Sequence, residues 1–259
     1  MSSAVMDPLV QEAYEKLQEL QRKVDEFFDQ VNSALSWVPF FLSHLIEPIR
    51  AAIEALNAKL GEFWERANQL MEQPGSPSRL NAAAQQWSSQ VAAPLAAIAG
   101  AIGPSQLRTN VEWVGRAAET YRATVPAQVS GVNGAKDIAN QMRASLTSLA
   151  NSVENFWLAI GIAFATFIVG AVAAIVAAAT VVGIPAAVAA LATAVGVSIG
   201  LITATVVALN SHLNTIETEQ ATIREKIIDL GTQWSASDIG AMSDASVADG
   251  DASDWRVNR

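Results

Sequence analysis

The sequence predicts an all-α protein built as elongated helical hairpins or a bundle, which combines a helix-turn-helix with a hydrophobic transmembrane hairpin. Apolar residues recur at steps of three or four along most of the chain, which is the spacing of one face of an α-helix. The 62 residues numbered 155–216 contain no Asp, Glu, Lys or Arg. That stretch is long enough for two helices that each cross a bilayer. Charge and helix breakers then divide the chain into five zones.

The composition excludes several classes of function. The chain has 259 residues, 51% of them hydrophobic, and a net charge of −9, so a nucleic-acid partner, which needs a basic face, is not expected. Cysteine is absent and the two histidines are His44 and His212, which leaves no thiol nucleophile and no Cys/His zinc site. No phosphate-binding loop, nucleophile elbow or zinc-protease motif occurs. We therefore predict a non-enzyme with no catalytic residue, no metal site and no cofactor.

Residues 1–75 are predicted to form an amphipathic helical hairpin. A second helical face begins at Leu42 and ends at Leu70, before a Pro/Gly breaker. Pro39 lies between the two faces and fits either an antiparallel hairpin that turns near Trp37 or one kinked helix. The aromatic residues of this connection either fill the hairpin core or touch lipid: Trp37, Phe40 and Phe41. The first face consists of Leu9, Ala13, Leu17, Leu20, Val24, Phe27, Val31 and Leu35.

Residues 76–154 are predicted to form a helix-turn-helix. The first helix carries one apolar face and small residues elsewhere, and it stops at a Gly-Pro pair. Trp113 and Gly115 then indicate a chain reversal, because glycine adopts the positive φ that tight turns require. A short second helix is expected to end near Pro126, and an interruption at residues 131–134 precedes the last helical stretch.

The residues around this turn match an extended motif, W-x-G-x-A-A-x-x-Y, without a gap: Trp113, Gly115, Ala117, Ala118 and Tyr121. Helix, Trp-x-Gly turn and helix is the layout of the WXG proteins of type VII (ESX) secretion systems, and residues 76–154 resemble the larger ESX secretion-associated proteins. The resemblance implies a secreted or secretion-associated protein of an actinobacterium-like organism that pairs with a second helical hairpin. A helical corner with an aromatic plug is the alternative interpretation of the same residues.

The sequence departs from the type VII pattern at one point. Substrates of these systems carry Y-x-x-x-[DE] after the second helix, whereas Val125 follows Tyr121 at that position and Gln18 follows Tyr14. The beginning of the chain also lacks a basic region followed by an apolar core, so no signal peptide is predicted. Export is therefore expected by a leaderless route, with the signal supplied by a partner.

Residues 155–210 are predicted to form a transmembrane hairpin. Two apolar segments, each longer than the about 20 residues that a bilayer requires, are separated by Gly183 and Pro185. Gly196 and Gly200 form a GxxxG pair that permits close helix contact in lipid. Trp157 suits a membrane interface. The alternative is a hairpin wrapped inside a soluble helical bundle until it is triggered, as in α-helical pore-forming toxins.

Residues 211–234 continue as an amphipathic helix, and residues 235–259 form an acidic tail that is expected to be disordered. The basic residues Lys136, Arg143, Arg224 and Lys226 flank the hairpin, so insertion by the translocon would keep both termini cytoplasmic. If the protein is exported first, the uncharged turn is instead the part that crosses a membrane at low cost.

Two functions follow from these features. The first is a type VII secretion-associated protein of the cell envelope, exported with a helical partner, that acts at a membrane through its hairpin as a candidate pore-forming or membrane-disrupting effector. Its expected partners are the lipid membrane, a helical-hairpin protein or a second copy, and the secretion machinery. The second is a resident inner-membrane scaffold or adaptor anchored by the hairpin.

Overall fold

The structure, a computed structural model, describes residues 6–37, 47–103, 105–106, 113–114, 116–231 and 256–257, and these residues form an all-α fold. The predicted fold class is confirmed. A π-helical turn, Trp87–Ala92, joins α3 to α4, and a 3-10 turn, Val181–Gly183, joins α5 to α6. Two-residue strands, β1 (Trp113–Val114) and β2 (Arg256–Val257), pair antiparallel. The helices of the described residues are α1 (Pro8–Leu35), α2 (Glu47–Glu72), α3 (Pro77–Gln86), α4 (Ala93–Ala101), α5 (Arg116–Ala177) and α6 (Ile184–Leu230).

The chain divides into two compact units. Unit 1 comprises Met1–Ser78 and Leu149–Asn214, and unit 2 comprises Arg79–Ser148 and Thr215–Arg259. The helices α5 and α6 each contribute to both units because they continue unbroken through the boundaries. The changes in composition near residues 155 and 211 therefore fall inside continuous helices.

In unit 1, α1 and α2 each present an apolar stripe with the heptad spacing of a coiled coil. Tyr14, near the start of α1, lines a groove together with Asn68, near the end of α2, so the two helices run side by side in opposite directions. Residues 1–75 therefore contain the antiparallel hairpin and not one kinked helix. The connection between α1 and α2, at residues 38–46, lies outside the described residues. The buried residues are Val10, Ala13, Leu17, Leu20, Val24, Phe27, Val31 and Ala34 on α1 and Ile49, Leu56, Leu60, Phe63 and Ala67 on α2.

The parts of α5 and α6 that belong to unit 1 supply two further stripes with the same spacing. The ring of Phe63 on α2 makes edge-to-face contacts with Phe164 and Phe167, at centroid distances of 5.8 and 4.8 Å. Unit 1 is therefore a four-helix bundle, in which α1 and α2 cover one face of a hairpin formed by α5 and α6. The stripes consist of Trp157, Ile160, Phe164, Phe167, Ala171 and Ala174 on α5 and Ile184, Val188, Leu191, Val195, Ser198 and Ile202 on α6.

The two helices of this hairpin approach each other closely at one glycine. A Cβ atom added to Gly170 would lie 2.3 Å from the Cβ atom of Ala194. Such a separation is far shorter than any carbon–carbon contact, so only glycine permits this spacing of α5 and α6. At the tip, the Thr180 hydroxyl accepts a hydrogen bond from the Gly183 amide, at 3.1 Å, and closes the turn.

The opposite end of unit 1 is fixed by two polar contacts. The Asp7 carboxylate caps α1 by accepting from the Leu9 amide, and its second oxygen accepts from the amide of Ser78 in the first turn of α3, at 3.1 Å. The indole of Trp157 donates to the Pro74 carbonyl at 2.7 Å. Both contacts join segments that are far apart in the sequence, and they determine where the bundle ends.

Unit 2 is built around smaller side chains. Its buried stripe on α5 recurs every seven residues, at Ala118, Val125, Val132 and Ala139. The last part of α6 lies against this region of α5, since Ser145 donates to Glu219 and Lys226 donates to Gln141 at 2.7 Å. The segment predicted as an amphipathic helix at residues 211–234 is therefore the end of a longer helix, with Ile216 and Ile223 buried.

The structure adds one feature to the predicted helix-turn-helix of residues 76–154 and contradicts two local predictions for it. The first helix contains a π-helical turn that ends two residues before Pro94, whose nitrogen has no hydrogen to donate to the preceding turn. The predicted end near Pro126 is wrong, because α5 continues through this residue. The predicted interruption at residues 131–134 is also wrong. Gly134 lies within α5, and a Cβ atom on it would lie 2.9 Å from Leu230 Cδ1.

A matched pair of glycine substitutions tests the close contact between α5 and α6. We expect Gly170→Ala to lower the free energy of unfolding by about 1–3 kcal/mol, because the helices must separate. We expect Gly200→Ala to raise it by up to about 1 kcal/mol, because alanine favours a helix and no atom lies within 4 Å of the new methyl group. Urea unfolding followed by circular dichroism measures both values, and equal effects of the two substitutions would contradict the contact.

Candidate membrane-inserting hairpin

The candidate site is the hairpin formed by residues 156–209, here called the apolar hairpin. Both of its helices are long and apolar enough to cross a membrane by length and composition, with mean hydropathies of 2.5 and 2.1 over their most apolar windows. Only 39% and 33% of those windows are buried. The remaining surface of the apolar hairpin is therefore a large uncharged area in contact with the surroundings.

The exposed surface of the apolar hairpin carries large apolar side chains. On α5 they recur at helical spacing, opposite the buried stripe, and Val169 and Val176 are 70% and 72% exposed. A soluble four-helix bundle normally places charged and polar residues at these positions. The exposed apolar residues are Leu158, Ile162, Val169, Val172 and Val176 on α5 and Val197, Leu201 and Val207 on α6.

The outer surfaces of α1 and α2 have the opposite character. Together these two helices, here called the sheath, contain eleven acidic and six basic residues, and ion pairs such as Glu12–Lys16 and Glu62–Arg66 lie on their exposed sides, at 2.7 and 2.9 Å. Exposed pairs of this kind contribute little to stability, but they keep the sheath soluble. Unit 1 thus has one hydrophilic half and one uncharged half.

Basic side chains of the sheath reach across the apolar hairpin where its residues are small. The Lys16 and Lys59 ammonium groups lie 3.4 and 3.9 Å from the positions that Cβ atoms on Gly161 and Gly196 would take. Arg66 donates to the Thr203 hydroxyl at 2.8 Å. Lys59 therefore stands beside the middle of the second apolar segment.

The position of Lys59 bears on whether the observed arrangement could enter the hydrocarbon layer of a membrane. A lysine at the centre of a bilayer costs about 2.5–3.5 kcal/mol or more, and the sheath would carry most of its charges to a similar depth. The sheath and the apolar hairpin cannot both enter the hydrocarbon layer in this arrangement. A hairpin in lipid would therefore require separation from the sheath.

Five hydroxyl groups of the apolar hairpin donate hydrogen bonds within it. Thr166, Thr193, Thr203 and Thr205 each donate to the carbonyl four residues earlier in the same helix, at 2.8–2.9 Å. The buried Ser198 donates to the carbonyl of Ala163 across the hairpin, at 2.8 Å. Because these hydroxyl groups do not depend on the sheath or on water, they would remain satisfied in lipid.

Trp157 was predicted as an interface residue, and in the structure it lies in the core of unit 1 with 1% exposure. Its indole nitrogen donates outside the apolar hairpin, to Pro74, whereas the hydroxyl donors described above bond within it. In a hairpin released from the sheath, this nitrogen would need a new acceptor, which water and lipid headgroups provide. Its place at the base of the hairpin agrees with an interface position, which stays a prediction.

The remaining residues singled out in the hairpin have distinct places. Gly183 ends the turn, where a Cβ atom would lie 2.0 Å from the Ala177 carbonyl oxygen, and the exposed Pro185 lies in the first turn of α6. Gly196 and Gly200 are not part of the contact between α5 and α6. Nothing lies within 4 Å of a Cβ atom on Gly200.

The structure also locates most of the turn motif. Trp113 lies in β1, paired with Val257, and α5 begins at Arg116. Gly115 lies outside the described residues, and Ala117 belongs to the first turn of α5. Ala118 is fully buried and begins the stripe of unit 2, and Tyr121 is half-buried. The composition predicts a disordered tail at residues 235–259. The structure differs at Arg256 and Val257, which form β2 and pair with β1.

Comparisons with known proteins identify no relative: no protein-family model, no curated protein and no solved structure matches the chain. Among the residues that the structure describes, no three His, Cys, Asp or Glu side chains are grouped in a way that would hold a metal ion.

Sequence analysis missed two features of this site. The heptad spacing of the apolar hairpin, which matches that of α1 and α2, was present in the sequence and would have predicted a shared four-helix core. The contacts of Lys16 and Lys59 with Gly161 and Gly196 left no local signal, because they join residues more than a hundred positions apart.

Proposed function

We propose that this protein is a membrane-active protein, which keeps the apolar hairpin against the sheath in water and inserts it into a lipid bilayer after the two separate. The observation that carries the proposal is the uncharged, apolar outer face of the hairpin. The sheath covers only the inner face, whereas lipid would cover both, at about 25 cal/mol per Å² of apolar surface removed from water.

Separation leaves the inner stripes of the sheath in need of a cover. Their heptad spacing suits another helical hairpin, which can pack against α1 and α2 as the apolar hairpin does. A helical-hairpin partner or a second copy of the chain would fill this place. The resemblance at the turn motif also implies a helical-hairpin partner. The partner and its place on the sheath are part of the proposal.

We further propose that the protein reaches its membrane by type VII secretion and acts there as a pore-forming or membrane-disrupting effector, without enzymatic activity. The motif at Trp113, Gly115, Ala117, Ala118 and Tyr121 supports this route. The alternative is a resident inner-membrane scaffold, whose hairpin is inserted during synthesis. The sheathed form of the hairpin favours the first proposal, because a translocon-inserted hairpin needs no sheath in water.

A charge introduced on the outer face of the hairpin should impair insertion into lipid without affecting folding in water. We expect Val169→Asp to change the free energy of unfolding by less than about 0.5 kcal/mol, because this side chain is 70% exposed. The same change should reduce carbonate-resistant association with phosphatidylcholine vesicles at least tenfold, since an aspartate in lipid costs about 2.5–3.5 kcal/mol. Flotation of the vesicles measures the association.

Val169→Thr is the matched control, because it keeps the shape of the side chain without a charge, and it should insert like the parent protein. A substitution such as Ala174→Asp would not be informative, since Ala174 is fully buried in unit 1 and a charge there disrupts the fold in water. Full insertion of Val169→Asp would contradict the proposal.

A reversible cross-link should show that the sheath must leave. The natural chain has no cysteine, so Arg66→Cys with Thr203→Cys gives one pair, across the contact that Arg66 now makes, for a bismaleimide with an internal disulfide. We expect the cross-linked protein to lose both vesicle insertion and leakage of a trapped dye. Reduction should restore insertion, and each single-cysteine variant treated alike should insert as the parent does. Insertion of the cross-linked protein would overturn the exchange of sheath for lipid.

Localisation in the native host distinguishes the two functions. If the protein is exported, it should be found in the supernatant or outer envelope when the type VII system is active and not when the system is disabled. Trp113→Ala with Gly115→Ala should reduce export if the turn motif supports recognition, without lowering the helical content. Unchanged residence in the inner membrane under all conditions would instead establish the anchored scaffold.

A further inference from the structure

We infer that the tip of unit 1, defined here by Trp37 and Val182, is a docking surface for the interface of a lipid bilayer and that the still-sheathed protein binds there before the hairpin inserts. The inference deepens the proposed function and rests on it. It concerns a separate step, in which the protein binds to the bilayer without insertion and uses the tip instead of the outer face of the hairpin.

Trp37 and Val182 lie at the same end of unit 1. Trp37 follows the last turn of α1, and α1 contacts the turn Val181–Gly183, which contains Val182. The beginning of α2 is also near this end, because Ala52 shares a groove with Pro185 at the start of α6. The end of α1, the beginning of α2 and the turn of the apolar hairpin therefore lie at the same end of unit 1.

Both side chains are far more exposed than large apolar residues usually are. Trp37 is 83% exposed and Val182 is 91% exposed. Turns of soluble helical hairpins usually carry polar residues. Tryptophan is enriched at membrane interfaces, where its ring meets the edge of the hydrocarbon layer and its N–H reaches water or headgroups. This pair of residues suits a bilayer interface better than bulk water.

Three backbone amides of the turn are already paired within it. The Ala178, Ala179 and Gly183 amides donate within the tip, to the carbonyls of Ala174, Val176 and Thr180, at 2.9–3.4 Å. The Thr180 hydroxyl oxygen accepts a second bond from the Gly183 amide. These amides would not lose hydrogen bonds on leaving water, which is the main cost of moving a turn into the headgroup region.

Charge identifies neutral lipid as the occupant. Glu47 and Arg50 lie in the first turn of α2, at the same end of unit 1 as the tip, and their charges are opposite. The rest of the sheath is acidic and would be repelled by anionic headgroups, so attraction cannot come from the net charge of this half. The apolar tip is thus the part that can bind, and its binding should depend only weakly on salt.

The cross-linked Arg66→Cys, Thr203→Cys protein tests this step, because it can dock but not insert. We expect it to float with phosphatidylcholine vesicles and to be released by carbonate. Trp37→Ser with Val182→Ser should weaken this binding at least tenfold, since each side chain loses its apolar contact with lipid. Val207→Ser is the matched control, an exposed valine of α6 far from the tip, and should leave the binding unchanged. Raising the salt from 50 to 500 mM should change the binding less than twofold.

The outcomes separate docking from insertion. If the cross-linked protein does not bind while the reduced protein inserts, the proposed function stands and the docking surface is overturned. Equal binding of the parent and the double serine variant, or binding only to anionic vesicles, also overturns it. If the cross-linked protein associates with itself through Trp37 and Val182 and does not float, the occupant is a second copy and not lipid. If neither the cross-linked nor the reduced protein associates with vesicles, the proposed function fails as well.

Discussion

The packing of the sheath on the inner face of the apolar hairpin is the interaction on which the rest of unit 1 depends. A run of 62 residues without Asp, Glu, Lys or Arg cannot remain in water as two bare helices. The buried residues of the apolar hairpin form a heptad stripe on its inner face. The helices of the sheath, α1 and α2, carry stripes with the same spacing and cover this face. The same period also limits what is covered, since a stripe at every third and fourth residue buries only one side of each helix.

The uncovered side is what separates this bundle from an ordinary soluble one. Stability in water needs apolar residues such as Phe164 and Leu191 in the core, but it does not need Val169 or Val176 on the surface. Surface valines and isoleucines over the length of two helices are a cost in water, because they favour aggregation. The internal hydrogen bonds of Ser198 and the four threonines would remain formed in a hairpin that loses its contact with water.

The sequence alone predicted much of this fold and less of its assembly. The buried positions of α1 from Ala13 to Val31 agree with its predicted face, because a strongly amphipathic helix shows its core face in its own pattern. In the apolar hairpin nearly all residues are apolar, so its helices show no polar face opposite an apolar one. Hydropathy alone therefore could not distinguish a transmembrane hairpin from a hairpin packed in a helical bundle. Pro126 and Gly134 misled the prediction for a related reason. A long helix tolerates both when tertiary packing supports it, and the neighbour of Gly134, Leu230, is distant in sequence.

The glycines of the hairpin illustrate how one residue type serves different contacts. Gly170 permits the close contact between α5 and α6 within the hairpin. Gly161 and Gly196 instead leave room for the lysine side chains of the sheath. In the exchange that we propose, the surfaces at Gly161 and Gly196 would become free together with the whole inner stripe, while the contact at Gly170 would stay. The hairpin would then leave the sheath as a preformed unit, and the cost of the exchange would lie in the contacts with α1 and α2 and not in refolding α5 and α6.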